Sequence, residues 1–441
     1  MNARLYSCAL VSALAGFLFG FDTVVISGAE KTIQALWQLS PALHGLALSA
    51  ALWGTVLGAL GGGWQADRFG RKQTLVSVGL LFLIGSIWSA LAQDVYSFMI
   101  ARFLGGIAIG VSTVASPLYI AEISPPEKRG LLTGMFQFNI VFGILIAFLS
   151  NHLLADFGAE PWRWMLGVMA LPTVIYVLAG FMLPESPRWL VAHQANRTEG
   201  LKVLKQIHPQ ASEPELNQWV AELAAVKTSA NTTTTFWRWG LRKSIGIAFL
   251  VAFFNQLSGI NAVLYFAPRI FEMTGLGAKA ALLQSVGIGI TNLVFTFVGL
   301  GLIDRVGRRT LLYYGSAGYI LSLGTCAWAF FTEHYAVVPV SIFCFIASHA
   351  IGQGAVIWVL ISEVFSDQDR ATGQALGSTT HWIFAALLTT FFPSMVTKFP
   401  AGYVFLFFAC MMCLQALWVK WMVPETKGRS FEAIQKELGI E

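Results

Sequence analysis

The sequence predicts an all-α membrane protein with twelve transmembrane helices, arranged as two six-helix repeats joined by a cytoplasmic helical segment. Three observations predict it. Hydrophobic residues fill 56% of the 441 positions and charged residues only 12%, about half the charged share of a soluble domain. Apolar stretches near the ~20 residues that a span needs recur along nearly the whole chain. One long polar stretch, 184–243, divides them six and six. The 42 glycines fit as well, because small residues let membrane helices approach closely.

Taken in order, the apolar runs predict spans at 5–28, 44–66, 73–92, 96–120, 131–153 and 164–183. A second set follows at 244–273, 280–303, 311–332, 335–362, 372–396 and 402–423. Residues 1–183 are thus an N-terminal six-helix bundle, 184–243 an intracellular helical linker domain, 244–423 a C-terminal six-helix bundle and 424–441 a cytoplasmic tail. Met1 to Ser7 is a short polar lead, and the run behind it carries Asp22, so no cleavable signal peptide is expected. In the linker, Pro184, Pro187, Pro209 and Pro214 punctuate charged sequence. Leu201, Leu204 and Ile207, then Leu216, Val220 and Leu223, recur at helical spacing and predict short amphipathic helices.

The net charge of +5 is gathered in short clusters between apolar runs. With the loop around Asp67 taken as cytoplasmic, that side collects Arg4, the 67–72 and 122–130 loops, 184–243, 304–310, Arg370 and the tail. The other side has only Lys31, Arg163, Arg269, Lys279 and Lys398. Such an imbalance places both termini in the cytoplasm and makes the lipid bilayer, with no nucleic acid, the expected surroundings. The Asn-x-Thr triplets at Asn196 and Asn231 then fall on the cytoplasmic side and read as chance matches. Cys8, Cys326, Cys344, Cys410 and Cys413 sit inside apolar runs without metal-ligand spacing and read as packing residues. With no phosphate loop, zinc spacing or nucleophile elbow, neither an enzyme nor a cofactor or metal is expected. His152, His349 and Lys420 read as helix packing or, for Lys420, a snorkelling end.

The halves repeat one another. Asp67-Arg68-Phe69-Gly70-Arg71-Lys72 returns as Asp304-Arg305-Val306-Gly307-Arg308-Arg309, Glu122 with Arg129 as Glu363 with Arg370, and Pro184-Glu185-Ser186 as Pro424-Glu425-Thr426. The offsets are 237, 241 and 240 residues. Parallel six-helix repeats with a substrate site at their interface are the plan of major facilitator transporters.

These motifs, with Pro187-Arg188-Trp189, Gln256-Leu257-Ser258-Gly259-Ile260-Asn261 and Thr426-Lys427-Gly428, resemble the sugar porter family of the major facilitator superfamily. The resemblance covers nearly the whole chain. The 67–72 box is generic to the superfamily, whereas the 184–189 and 256–261 runs together are specific to sugar porters. The short first outer loop is more similar to bacterial sugar–proton symporters than to animal glucose facilitators. The resemblance implies a major facilitator fold, a monomer in the plasma membrane (the inner membrane of a bacterium) and a hexose or pentose as substrate.

Asp22 and Arg102 each cost about 2.5–3.5 kcal/mol near mid-membrane, so a partner or a watery cavity is expected for both. Asp22 reads as the lone carboxylate of the first apolar run. The resemblance sets it in helix 1 near Arg102 in helix 4, and bacterial symporters use the matching Asp as the proton site, where animal facilitators have Asn. A static salt bridge between two helices is the alternative. For sugar contact the resemblance implies Gln137, Gln256, Asn261, Asn292 and Trp358, with Asn255 in place of a usual Gln. Phe19, Ile144, His381 and Trp382 complete the wall, His381 departing from the family's Gln or Asn. Amides offer donors and acceptors together and an indole stacks on a sugar's apolar face; interhelical bonding is the alternative for each amide.

Asp67, Arg71, Glu122, Arg129, Glu185, Arg188, Asp304, Arg308, Glu363, Arg370 and Glu425 resemble the family's inner salt-bridge network. Formed in one state only, such a network biases an outward–inward equilibrium; topology control by positive charge alone is the alternative. The combined reading is a proton-coupled sugar symporter. The alternatives are an uncoupled facilitator or, on the same scaffold, a sugar sensor.

Overall fold

The structure, a computed structural model, describes residues 3–225, 236–366, 369–429 and 431–438. Asn231 lies outside the described residues. Those residues form helices and loops with no strand. Spans 1 to 6 are Ala3–Leu36, Pro41–Phe69, Arg71–Leu91, Val95–Ile123, Pro126–Leu153 and Pro161–Phe181. Spans 7 to 12 are Trp239–Glu272, Ala278–Val306, Arg308–Phe331, Tyr335–Glu363, Arg370–Lys398 and Ala401–Met422. Eleven of these are long and apolar enough to cross a membrane by composition alone. Span 9 is the twelfth. Tyr313, Tyr314, Tyr319, Ser316 and Ser322 lower its hydropathy, and it is seated against span 12.

The helices overrun the apolar runs because capping extends them into polar ground. Ser40 and Asp94 accept backbone N–H bonds at the starts of spans 2 and 4. Span 1 runs on past residue 28 to Leu36 and so takes in Glu30 and Lys31. Within the N half, spans 2 and 4 touch backbone to backbone. A methyl group on Gly106 would strike the Ala51 carbonyl, and one on Gly54 the Phe103 carbonyl.

Span 6 is made of two helices, Pro161–Gly167 and Ala170–Phe181, and spans 7 and 10 are broken at a glycine. Span 7 is a helix over Arg242–Leu257 and another over Ile260–Glu272. Gly259 joins them at φ 87°, and a Cβ there would meet the Phe408 ring; only glycine satisfies both demands. Span 10 breaks at Gly352 between Val338–Ile351 and Gln353–Glu363. Across the halves, span 2 packs on span 11, span 5 on span 8, and span 1 on the second segment of span 7.

Among its described residues the linker carries three α-helices, Pro187–Ala192, Arg197–Ile207 and Glu213–Ala225. Val191, Leu204, Leu216 and Val220 form a small core of their own, with Leu201 and Leu223 against it. Asn196 caps the second helix through the Glu199 N–H. One expectation is corrected: Cys8 and Cys326 are buried, but Cys344, Cys410 and Cys413 are exposed and so are not packing residues of the bundle core.

Candidate functional site

Asp22 and Arg102 meet in the N half. Both are 3% exposed, and Arg102 Nη1 donates to Asp22 Oδ1 at 2.5 Å while Nη2 donates to the Asp22 carbonyl at 3.2 Å. Asp22 Oδ2 and Arg102 Nε are buried without a partner. The carboxylate thus has one satisfied oxygen and one oxygen left to accept. An unmet buried acceptor costs about 1–3 kcal/mol, more when charged, and a proton on Oδ2 would remove that charge.

The C half supplies an uncharged polar wall around the break in span 7. Gln256 Nε2 donates to Asn255 Oδ1 at 2.9 Å and lies 3.2 Å from the His381 ring, while Asn261 Nδ2 donates to Gln256 Oε1 at 2.6 Å. Trp358 and His381 have centroids 5.3 Å apart, and His381 stands edge-on to Trp382 at 4.8 Å. Phe19 of span 1 meets Trp382 at 5.4 Å, so aromatic contact crosses the halves here. Trp382 Nε1 is buried and unpartnered. Gln137 on span 5 and Asn292 on span 8 make no hydrogen bond among the described residues, which leaves their amides available. Ile144, 5% exposed, lies on span 5 beyond Gln137. His349 is held by Tyr319 Oη at 2.6 Å.

At the linker face the charged motifs form two clusters, one per half. Arg71 grips Glu122 with Nε and Nη2, both at 2.9 Å, and reaches Asp67 at 3.0 Å. Glu185 caps span 3 by accepting from the N–H groups of Arg71, Lys72 and Ser186 at 2.8, 3.1 and 2.8 Å. In the C half Arg308 grips Glu363 at 3.1 and 2.8 Å and reaches Asp304 at 3.0 Å, while Glu425 accepts from the N–H groups of Arg308 and Arg309. Ser186 and Thr426 each donate to the gripped carboxylate. Arg370 Nε donates to the Ser362 carbonyl of its own half. Arg129 and Arg188 stand apart. Both are exposed and join neither cluster among the described residues.

Sequence reasoning missed the opposite face. Asp22 is not the lone carboxylate of the first helix: Glu30, 0% exposed, lies further along it. Arg269 of span 7 donates to both Glu30 oxygens at 2.8 and 2.7 Å, and His44 Nε2 of span 2 sits 2.8 Å away. Lys31 pairs with Glu272, and Lys279 with Asp156 at 2.6 Å. The pairs of Arg269, Glu272 and Lys279 each join the N half to the C half. The one sequence signal was Glu30-Lys31 at the edge of an apolar run, which looks like any membrane boundary.

The chain matches the family described as Sugar (and other) transporter over residues 8–438. It is 36% identical to the arabinose-proton symporter of Bacillus subtilis (strain 168), over 98% of this chain and 94% of that one. Among solved structures, the fold matches the partially occluded inward open conformation of the xylose transporter XylE from E. coli with TM-score 0.87 and 30% identity, over 97% and 100% of the two chains. The major facilitator proton:xylose symporter XylE bound to 6-bromo-6-deoxy-D-glucose matches with TM-score 0.80 and 30% identity, over 99% and 100%. The twelve spans in two repeats are therefore the major facilitator fold.

Proposed function

Because this chain belongs to the Sugar (and other) transporter family, we propose that it carries a monosaccharide, hexose or pentose, across the plasma membrane together with protons by alternating access. It is a transporter and not an enzyme. The observation that carries the reading is the buried Asp22–Arg102 bond with Asp22 Oδ2 unpartnered, in a molecule whose other half presents amides and indoles.

In this reading Asp22 is the proton site. The protonated acid loosens its hold on Arg102 and allows the loaded carrier to reorient; loss of the proton restores the bond. Gln256, Asn261, Asn255, Gln137 and Asn292 bind hydroxyls, with Trp358 beneath the sugar ring. Phe19, Ile144, His381 and Trp382 shape the wall. The linker face is the cytoplasmic one, with both termini on it, and the protein works as a monomer. The crossing pairs on the far face and the half-confined Arg71–Glu122 and Arg308–Glu363 clusters then describe a state closed outside and open inside. The match to the partially occluded inward open structure supports that assignment. Arg129 and Arg188, which join neither cluster, are the charges that join the halves in this reading when the inner face shuts.

The test is uptake of a labelled sugar panel into proteoliposomes with and without an imposed pH gradient. Symport predicts accumulation of at least one hexose or pentose above its external concentration when the gradient is inward. Uptake that only equilibrates, gradient or none, makes the chain an uncoupled facilitator; no uptake of any sugar removes the substrate class.

A further inference from the structure

The charge group at the far face is built more tightly than a topology signal requires. Glu30 and His44 have fully buried side chains, and that of Arg269 is 19% exposed. Arg269 holds Glu30 through two parallel bonds and also donates to Gln34 Oε1 at 2.6 Å. A bidentate guanidinium–carboxylate pair is strong and fixes orientation. His44 reaches Glu30 with Nε2, leaving Nδ1 buried and unpartnered, and its ring stands edge-on to Phe266 of span 7. Two side chains, His44 of span 2 and Arg269 of span 7, therefore close on the Glu30 carboxylate of span 1, and span 7 belongs to the other half.

We propose that Glu30 is the pivot of a latch that holds the far face shut, and that the Glu30–Arg269 bond breaks each time the site turns to that face. This rests on the alternating-access reading. Separating spans 1 and 7 there must pull Arg269 off Glu30, because Arg269 sits on the second segment of span 7 and Glu30 on span 1. Water entering the opened face then replaces both partners' bonds, so the break is affordable only when the face opens. The same segment carries Asn261 at the polar wall near its start, with a kink at Phe266 between Asn261 and Arg269. Lys31–Glu272 lies alongside and is more exposed, with Lys31 at 49%; it is the weaker clasp.

Glu30 is a positioning residue, and its test reads conformation rather than transport. In a chain with its five cysteines replaced, Ala267→Cys puts a thiol at a site 1% exposed in this state, two residues before Arg269 on the same segment. Right-side-out vesicles would be treated with a membrane-impermeant thiol reagent. Glu30→Gln and Arg269→Gln are each expected to raise the labelling rate about tenfold, since each leaves one partner uncompensated in the closed state. The double variant, which leaves no unpaired charge, should label more slowly than either single one. Sugar binding measured on the same variants should be retained. Labelling within twofold of the parent in both single variants overturns the latch, whatever the sugar proves to be. If a single variant fails to insert, the double variant alone decides: parent-like labelling there overturns the proposal, and faster labelling supports it.

Discussion

At the linker face the two halves match bond for bond. Arg71 grips Glu122 as Arg308 grips Glu363, Glu185 caps span 3 as Glu425 caps span 9, and Ser186 and Thr426 each donate to the gripped carboxylate. Deeper in the bundle they diverge. Asp22 and Asn261 stand 239 residues apart, inside the offsets of the repeat, and each follows two residues after a glycine, Gly20 and Gly259. One is charged and paired with Arg102; the other is neutral and donates to Gln256. At the repeat of Arg102 stands Phe343, 241 residues on. The scaffold chemistry was kept in both copies while this deeper pair of positions diverged, charged in one half and neutral in the other.

The largest effect should come from erasing the charged side of that difference. Asp22→Asn makes the N half resemble the C half at this position. It cannot release a proton, so sugar accumulation driven by a pH gradient should collapse to simple equilibration while binding is little changed. Vesicles that still concentrate sugar with Asn at 22 would place the proton elsewhere. Next come the neutral groups. Gln256→Ala and Asn261→Ala should each weaken sugar binding by about 1–3 kcal/mol, through a hydrogen bond lost in a buried site, and Trp358→Ala by more because stacking area goes too. Calorimetry on purified protein reads this, and unchanged affinity in all three would move the sugar away from the C half.

The third effect tests the matched side. The Glu122 side chain is 2% exposed and that of Glu363 27%; a pocket of about 250 Å³ borders the latter, lined by Glu363, Arg370 and Arg429 among others. Removing one partner of a buried pair costs about 3–5 kcal/mol, whereas a partly hydrated pair costs less. Glu122→Gln should therefore lower the melting temperature in detergent more than Glu363→Gln does. Equal losses would mean that the repeat is energetic as well as geometric.

How much of this was legible depends on how far apart the partners lie. The span count, the linker and the repeat follow from hydropathy and local motifs, and the structure places Asp22 against Arg102 and Asn255, Gln256, Asn261, Trp358, His381 and Trp382 in one wall. Glu30 was not legible, because its compensation comes from His44 and Arg269 on other spans, and the apolar run gives no sign that the helix continues to Leu36. The exposure of Arg129 and Arg188 was not legible either. A motif names charges that can pair, but which pairs exist depends on the conformational state. The breaks in spans 7 and 10 fall at Gly259 and Gly352, each beside polar residues that read as site or packing groups rather than as helix ends.

The smallest effect concerns Glu185, which sits outside the spans at the end of the N half. Burial pushes its carboxyl above the usual carboxylate range, against the pull of the Ser186, Lys72 and Arg71 N–H bonds and the Arg71 charge. A raised value means that the folded protein holds this proton to higher pH than the unfolded chain does. In the window just above the ordinary carboxyl value the folded state therefore binds more protons, and stability falls as pH rises through it. Glu185→Gln has no proton to lose there, and its carbonyl oxygen can still cap span 3. Wild type should lose stability relative to the variant as pH climbs through that window, by no more than about 2 °C in melting temperature for a chain of this size. Parallel melting curves would show that the three N–H bonds offset the burial completely, and the N-half cluster would then owe its tightness to Arg71 and Glu122 alone.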